Sequence, residues 1–155
     1  MSSESDSSFF DVGDNTALVC IDHQQFQKLV VPQLIDMSYK VHLGLFEEDV
    51  LLKLKTYSYN VVIVFENFKG STVQTNPILR DMITRSGNQR REHFVVLLSQ
   101  RYATNDAMSA FVQSVDQIIN ISDLANFKPV LRRGVAQYRE LYHSFHETLK
   151  TVQAI

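Results

Sequence analysis

A chain of 155 residues is long enough to bury one ordinary core and short for two. Fifteen Lys and Arg against seventeen Asp and Glu leave a net charge of −2, so no overall field draws the chain onto nucleic acid or an anionic membrane. The single cysteine excludes an internal disulfide and no apolar run reaches the roughly 18–20 residues of a membrane span, so the expectation is a soluble cytoplasmic protein.

Residues 1–15, MSSESDSSFFDVGDN, are small, polar and acidic apart from Phe9 and Phe10, the composition of a flexible N-terminal arm. The folded domain is expected over 16–155. Apolar runs of strand length then alternate with segments of helical period. In order, they are a strand ALVCI at 17–21 with Cys20 buried in it, a helix over about 24–38, a strand YKVHLGL at 39–45 and a helix over about 47–56. VVIVF at 61–65 follows, then a helix over about 76–86, FVVLLS at 94–99, a helix over about 105–114, QIINIS at 117–122 and a long final helix. Five strands alternating with five helices predict one (βα)5 domain, a doubly wound parallel five-stranded sheet covered on both faces, because each parallel crossover needs a helix. The wholly apolar strands at 61–65 and 94–98 belong in the middle. YKVHLGL alternates, with Lys40, His42 and Gly44 on one side, and belongs at an edge.

In such sheets function collects at the carboxyl ends of the strands, near the point where strand order reverses. The stretch VVIVFENFKG delivers Glu66 and Asn67 to that rim; the other strand ends deliver Asp22 and His23, Ser99 and Gln100, and Ile121 and Ser122. In order and spacing these positions resemble the receiver domain of bacterial two-component response regulators, from about residue 16 to 140. The resemblance implies a receiver-like, flavodoxin-like topology and an acidic pair ending the first strand, a phospho-accepting aspartate ending the third, a hydroxyl ending the fourth and a lysine ending the fifth. Asp22 in IDHQQF fits the first acid, but His23 stands in place of the second. VFEN puts Glu66, or Asn67, where the aspartate belongs. Ser99 fits the hydroxyl, and INISDL offers Ile121 or Ser122 instead of the lysine, with Lys128 several residues too late.

Phosphoryl transfer to a carboxylate needs a divalent cation, which prefers several oxygen ligands, and a positive group to stabilise the transferred charge. Asp22 and Glu66 alone make a thin site. The expectation is therefore a pseudo-receiver: not an enzyme, without cofactor or metal, signalling through protein contacts. The alternative is a small-ligand sensor with its pocket at the same rim.

Other groups read more plainly as surface. His143, His146 and Glu147 share a stretch of the last helix without a metal-binding motif. Arg85, Arg90 and Arg91 surround a Ser-Gly turn at the opposite end of the sheet. IDHQQF contains no glycine, which disfavours a phosphate-cradling loop, and Ser99 lacks the GxSxG turn of a presented nucleophile.

The final helix carries the sharpest pattern. Leu131, Val135, Tyr138, Tyr142, Phe145, Leu149 and Val152 recur in alternating steps of four and three, as an a/d seam does. Pro129 suits the first turn, and a helix from there to Val152 spans roughly 35 Å. A receiver-like body needs about half of it. Tyr142, Phe145, Leu149 and Val152 are thus expected to form an interface, in a homodimer or with a helical protein partner.

Overall fold

The protein is described by a computed structural model covering residues 13–84 and 93–153, apart from the side chains of Phe145, His146, Leu149 and Gln153. The arginines expected to cluster at 85, 90 and 91, and residues 1–12 of the expected arm, lie outside the described residues. The chain runs β1 (Asn15–Cys20), α1 (Gln24–Asp36), β2 (Tyr39–Leu43), α2 (Glu47–Thr56), β3 (Val61–Phe65), α3 (Pro77–Thr84), β4 (Phe94–Ser99), α4 (Ala107–Val112), β5 (Gln117–Asn120) and α5 (Phe127–Gln153). Short 3-10 turns fill Phe68–Gly70 and Ile121–Asn126.

All strand pairings are parallel and the order is β2-β1-β3-β4-β5. β3 and β4, apolar over 61–65 and 94–98, are interior strands, as burial on both faces requires. Their even and odd positions feed two separate cores. Val61, Ile63, Phe65, Val96 and Leu98 meet α1 and α5 through Val30, Leu34, Leu131 and Val135. Val62, Val64, Val95 and Leu97 meet α2, α3 and α4 through Val50, Leu54, Ile78, Met82 and Ala110. Each such fully buried aliphatic contributes roughly 1.5–3 kcal/mol of apolar burial.

Where element ends differ from expectation, backbone conformation explains the difference. The first helix stops at Asp36 because the Met37 N–H turns back to the Gln33 and Leu34 carbonyls and Ser38 takes a φ of +68°. The fourth helix is only six residues long, since the Asp106 carboxylate caps it through the Ser109 N–H and Ser114 leaves it at φ +59°. The last strand ends at Asn120, two residues early. Its side-chain oxygen accepts the Ser122 N–H and hydroxyl and curls the chain into the 3-10 turn.

β2 lies at the edge, as its alternation required. His42 is buried, its Nδ1 2.7 Å from the Tyr59 hydroxyl and its ring edge-on to Tyr57. At the other edge Gly134 lets α5 approach β5, where a Cβ would stand 2.4 Å from the Gln117 side-chain oxygen. That oxygen is buried without a hydrogen bond, while the Gln117 amide nitrogen donates to Asn105 Oδ1 and the Val130 carbonyl.

Candidate functional site

Parallel register brings the expected rim together. β1 pairs with β3 up to Cys20 opposite Val64, β3 with β4 up to Phe65 opposite Leu98, and β4 with β5 up to Ser99 opposite Asn120. Asp22, Glu66, Ser99 and Ile121 therefore all sit at one end of the sheet, each just past or at the end of its strand.

Glu66 continues β3 by one more rung, its N–H donating to the Leu98 carbonyl at 3.0 Å, and is only 4% exposed. Both carboxylate oxygens are engaged from within the chain. Oε1 accepts from Ser99 Oγ at 3.1 Å and Oε2 from the Gln100 N–H at 2.5 Å. Ser99 is fully buried and also accepts the Arg101 and Tyr102 N–H groups at 3.0 and 2.9 Å. The β4 end thus wraps around the Glu66 carboxylate.

Asp22 is exposed and is tied to the loop after β3, where its Oδ2 accepts the Lys69 N–H at 2.9 Å. His23 does not enter the pocket as a substitute for the second acid. It is the N-cap of α1, accepting the Phe26 N–H on Nδ1 at 3.4 Å and stacking on the Phe26 ring at 3.8 Å, because the residue just before a helix is where an acceptor satisfies an orphan N–H. Asn67 turns the other way, donating to the Ser71 carbonyl at 2.9 Å, so Glu66 alone of the two presents its side chain to Ser99. Ile121 lies one residue beyond the end of β5, half-buried against the α1 and α5 core. Lys128 is remote from the rim: its Nζ pairs with the Asp36 carboxylate and its N–H donates to Gln33 Oε1, both on α1.

Two rim residues, Asn76 and Lys69, were missed, and the role of a third, Gln100, was not legible. Asn76 is fully buried, donating to the Phe65 and Glu66 carbonyls and accepting the Ile78 and Leu79 N–H groups, so it clamps the end of β3 to the start of α3. The Asn-Pro pair before an apolar period is a helix-start signal that could have found it. Lys69, at φ +55°, brings a cation to the rim from the β3 loop and rests its Nζ 4.5 Å from the Phe46 ring centroid. Gln100 acts through its backbone N–H, which no side-chain pattern announces.

Among the described residues no group of three or more His, Cys, Asp or Glu side chains could hold a metal ion. His143 and Glu147 are exposed on α5, and the side chain of His146 lies outside the described residues. Burial in the α2 side of the core pushes the Cys20 thiol far above its ordinary range, with the Asp49 charge adding to the effect.

The first half of the α5 seam packs on the sheet. Leu131 and Val135 are buried, and Tyr138 meets the ring of Phe94, the first residue of β4, edge-on at 5.4 Å. Tyr142 stacks on Tyr138 at 6.1 Å and is 39% exposed, and Val152 is 62% exposed. Phe145 and Leu149, expected between them, have side chains outside the described residues. The helix runs on from Tyr142 to Gln153, about 16 Å further.

No protein-family model matches the sequence and no curated protein matches it significantly. Solved structures do. A response regulator from Thermotoga maritima aligns with a TM-score of 0.60 at 16% identity, over 79% of this chain and 98% of its own. The chemotaxis response regulator CheY4 of Vibrio cholerae aligns with a TM-score of 0.57 at 15% identity, over 78% and 98%. A chain that includes a yeast Spc42 trimeric coiled-coil segment in a fusion aligns with a TM-score of 0.62 at 16% identity, over 94% and 93%. No helix among the described residues is long and apolar enough to cross a membrane. At these identities the likeness concerns architecture: the chain has the receiver-like (βα)5 fold found in bacterial response regulators, with a long C-terminal helix.

Proposed function

We propose that the chain is a cytoplasmic signalling module that acts through protein contacts and is closed to phosphoryl transfer at its rim. The observation that carries this reading is the Glu66 carboxylate, held by Ser99 Oγ and the Gln100 N–H. A phospho-accepting carboxylate has to be exposed to its donor and share a cation with neighbouring acids. Glu66 is buried and saturated, His23 caps a helix, and Ile121 offers no positive charge. The hydroxyl that would meet an incoming phosphoryl group is instead committed to the Glu66 side chain, so the β4 end is latched without a phosphorylation cycle. The same bonds disfavour a ligand-sensing pocket at this rim, because they turn Glu66 and Ser99 onto each other.

The output face in this reading is the distal half of α5, where the seam outruns the sheet and Tyr142 and Val152 stay exposed. A second copy of the same helix supplies the complementary seam, making a homodimer.

Incubation with acetyl phosphate and magnesium followed by intact mass measurement tests the closed rim. No adduct is expected; a stoichiometric phosphoryl adduct on Glu66 or another rim residue overturns it.

A further inference from the structure

At the end of the sheet opposite Glu66, a cleft of about 220 Å3 opens between the first residues of β1 and β2, the end of α1 and the flank of α5. Asn15 and Tyr39, partners in the β1–β2 register, form its floor with Met37; Arg132 and Arg139 stand on α5 at either side. The two arginines are seven positions apart, about 10.5 Å along the helix, and Val135 and Ala136 on the same face leave the space between them open.

The polar groups lining the cleft are donors in search of an acceptor. Neither Arg132 nor Arg139 forms an ion pair or hydrogen bond with a described residue, and no carboxylate lines the cleft. Two acids beside the cleft are engaged by lysines, Asp14 with Lys40 at 3.2 Å and Asp36 with Lys128, although Asp36 also feels the charge of Arg132. Tyr39 is 8% exposed and lines the cleft; its hydroxyl forms no hydrogen bond with a described residue and is not sealed from solvent, so it is free to donate to an occupant. Burial pushes the Tyr39 hydroxyl above the ordinary phenol range, and the charge of Arg139 counteracts this, which places the hydroxyl within electrostatic reach of that guanidinium.

We infer that this cleft is an anion-binding site, taking one phosphate or carboxylate group between Arg132 and Arg139 with the Tyr39 hydroxyl and the Asn15 amide as further donors. The volume suits a single such group or a short dicarboxylate and is too small for a nucleotide. Guanidinium forks match both oxygen geometries, and a phenol adds a neutral donor whose bond to a charged acceptor is strong. Because α5 carries both arginines, an occupant would tie the helix to the starts of β1 and β2. The group can come from a free small anion or from the chain's own acidic residues Glu4, Asp6 and Asp11, which precede Asn15 in the sequence.

The test is a titration of the full chain with inorganic phosphate, and separately with succinate, at low chloride, followed by amide and arginine side-chain NMR. A free-anion site gives saturable shifts at Asn15, Tyr39, Arg132 and Arg139, weakened about tenfold in Tyr39→Phe and abolished in Arg132→Gln/Arg139→Gln. If the acidic residues of the same chain fill the cleft, the wild type responds weakly and the full-chain variant Glu4→Gln/Asp6→Asn/Asp11→Asn binds phosphate at least tenfold more tightly. Absence of a saturable response in both proteins up to tens of millimolar anion overturns the inference, as does a response that the double arginine variant retains. The exposed arginines allow that variant to keep its fold, which an unchanged circular dichroism melt verifies.

Discussion

The buried carboxylate of Glu66 accepts the hydroxyl of Ser99 across the β3–β4 boundary at 3.1 Å, which joins the ends of two interior strands by a side-chain bond as well as by the backbone ladder. Ser99 holds three bonds at once, so it is the more critical partner. Replacing it by alanine strands Glu66 Oε1 and leaves the Arg101 and Tyr102 N–H groups without their acceptor. Ser99→Ala is expected to cost about 1–3 kcal/mol in urea unfolding, and Glu66→Gln less, because a carboxamide oxygen still accepts the Gln100 N–H. Equal stability of Ser99→Ala and wild type would mean the latch contributes nothing.

Restoring an aspartate does not restore a receiver. Glu66→Asp shortens the side chain by one methylene and draws it away from the Gln100 N–H, but His23 still caps α1 and the residue after β5 is still Ile121. The variant is expected to remain unmodified by acetyl phosphate with magnesium, whereas adding both His23→Asp and Ile121→Lys supplies the missing charges. A phosphoryl adduct on the single variant would show that the aspartate alone was limiting.

The contact between α5 and β5 reverses a helix preference. Alanine in place of a helical glycine ordinarily stabilises by about 1 kcal/mol, but at Gly134 the new methyl falls on the Gln117 amide, which is anchored to Asn105 and Val130. Gly134→Ala is expected to lower the melting temperature, and Gln117→Ala in the same chain to remove most of that penalty. A melting temperature raised by Gly134→Ala would show that Gln117 moves aside freely.

Cys20 is expected to resist Ellman's reagent in the folded protein at pH 8 and to react at once in guanidinium. Burial disfavours the thiolate, the reactive form, and the thiol is inaccessible within β1. Rapid labelling under native conditions would place the thiol at a mobile or open part of the sheet.

Much of the architecture was legible because it follows from period and composition. VVIVF at 61–65 and FVVLL at 94–98 are apolar at every position, as an interior parallel strand requires, and the stepped seam of α5 announced a buried start at Leu131 and Val135. Alternation put β2 at the edge, but the burial of His42 under Tyr57 and Tyr59, from the loop before β3, is a tertiary contact that alternation cannot encode. The capping role of His23 was also not foreseen, although a residue one step before a helix suits a cap. The rim itself was only half legible. Position delivered Glu66 next to Ser99, but the bonds that close the site use the Gln100 and Lys69 backbone N–H groups and the Asn76 clamp, and backbone donors leave no mark on side-chain order.

The most direct test of a phosphorylation-independent contact module is sedimentation velocity of the full chain across micromolar concentrations, with and without acetyl phosphate and magnesium. The account predicts a dimer at high micromolar concentration, unchanged by the phosphodonor and lost in Tyr142→Glu/Val152→Glu with the fold intact. A chain that stays monomeric, or that dimerises only when the phosphodonor is present, would contradict it.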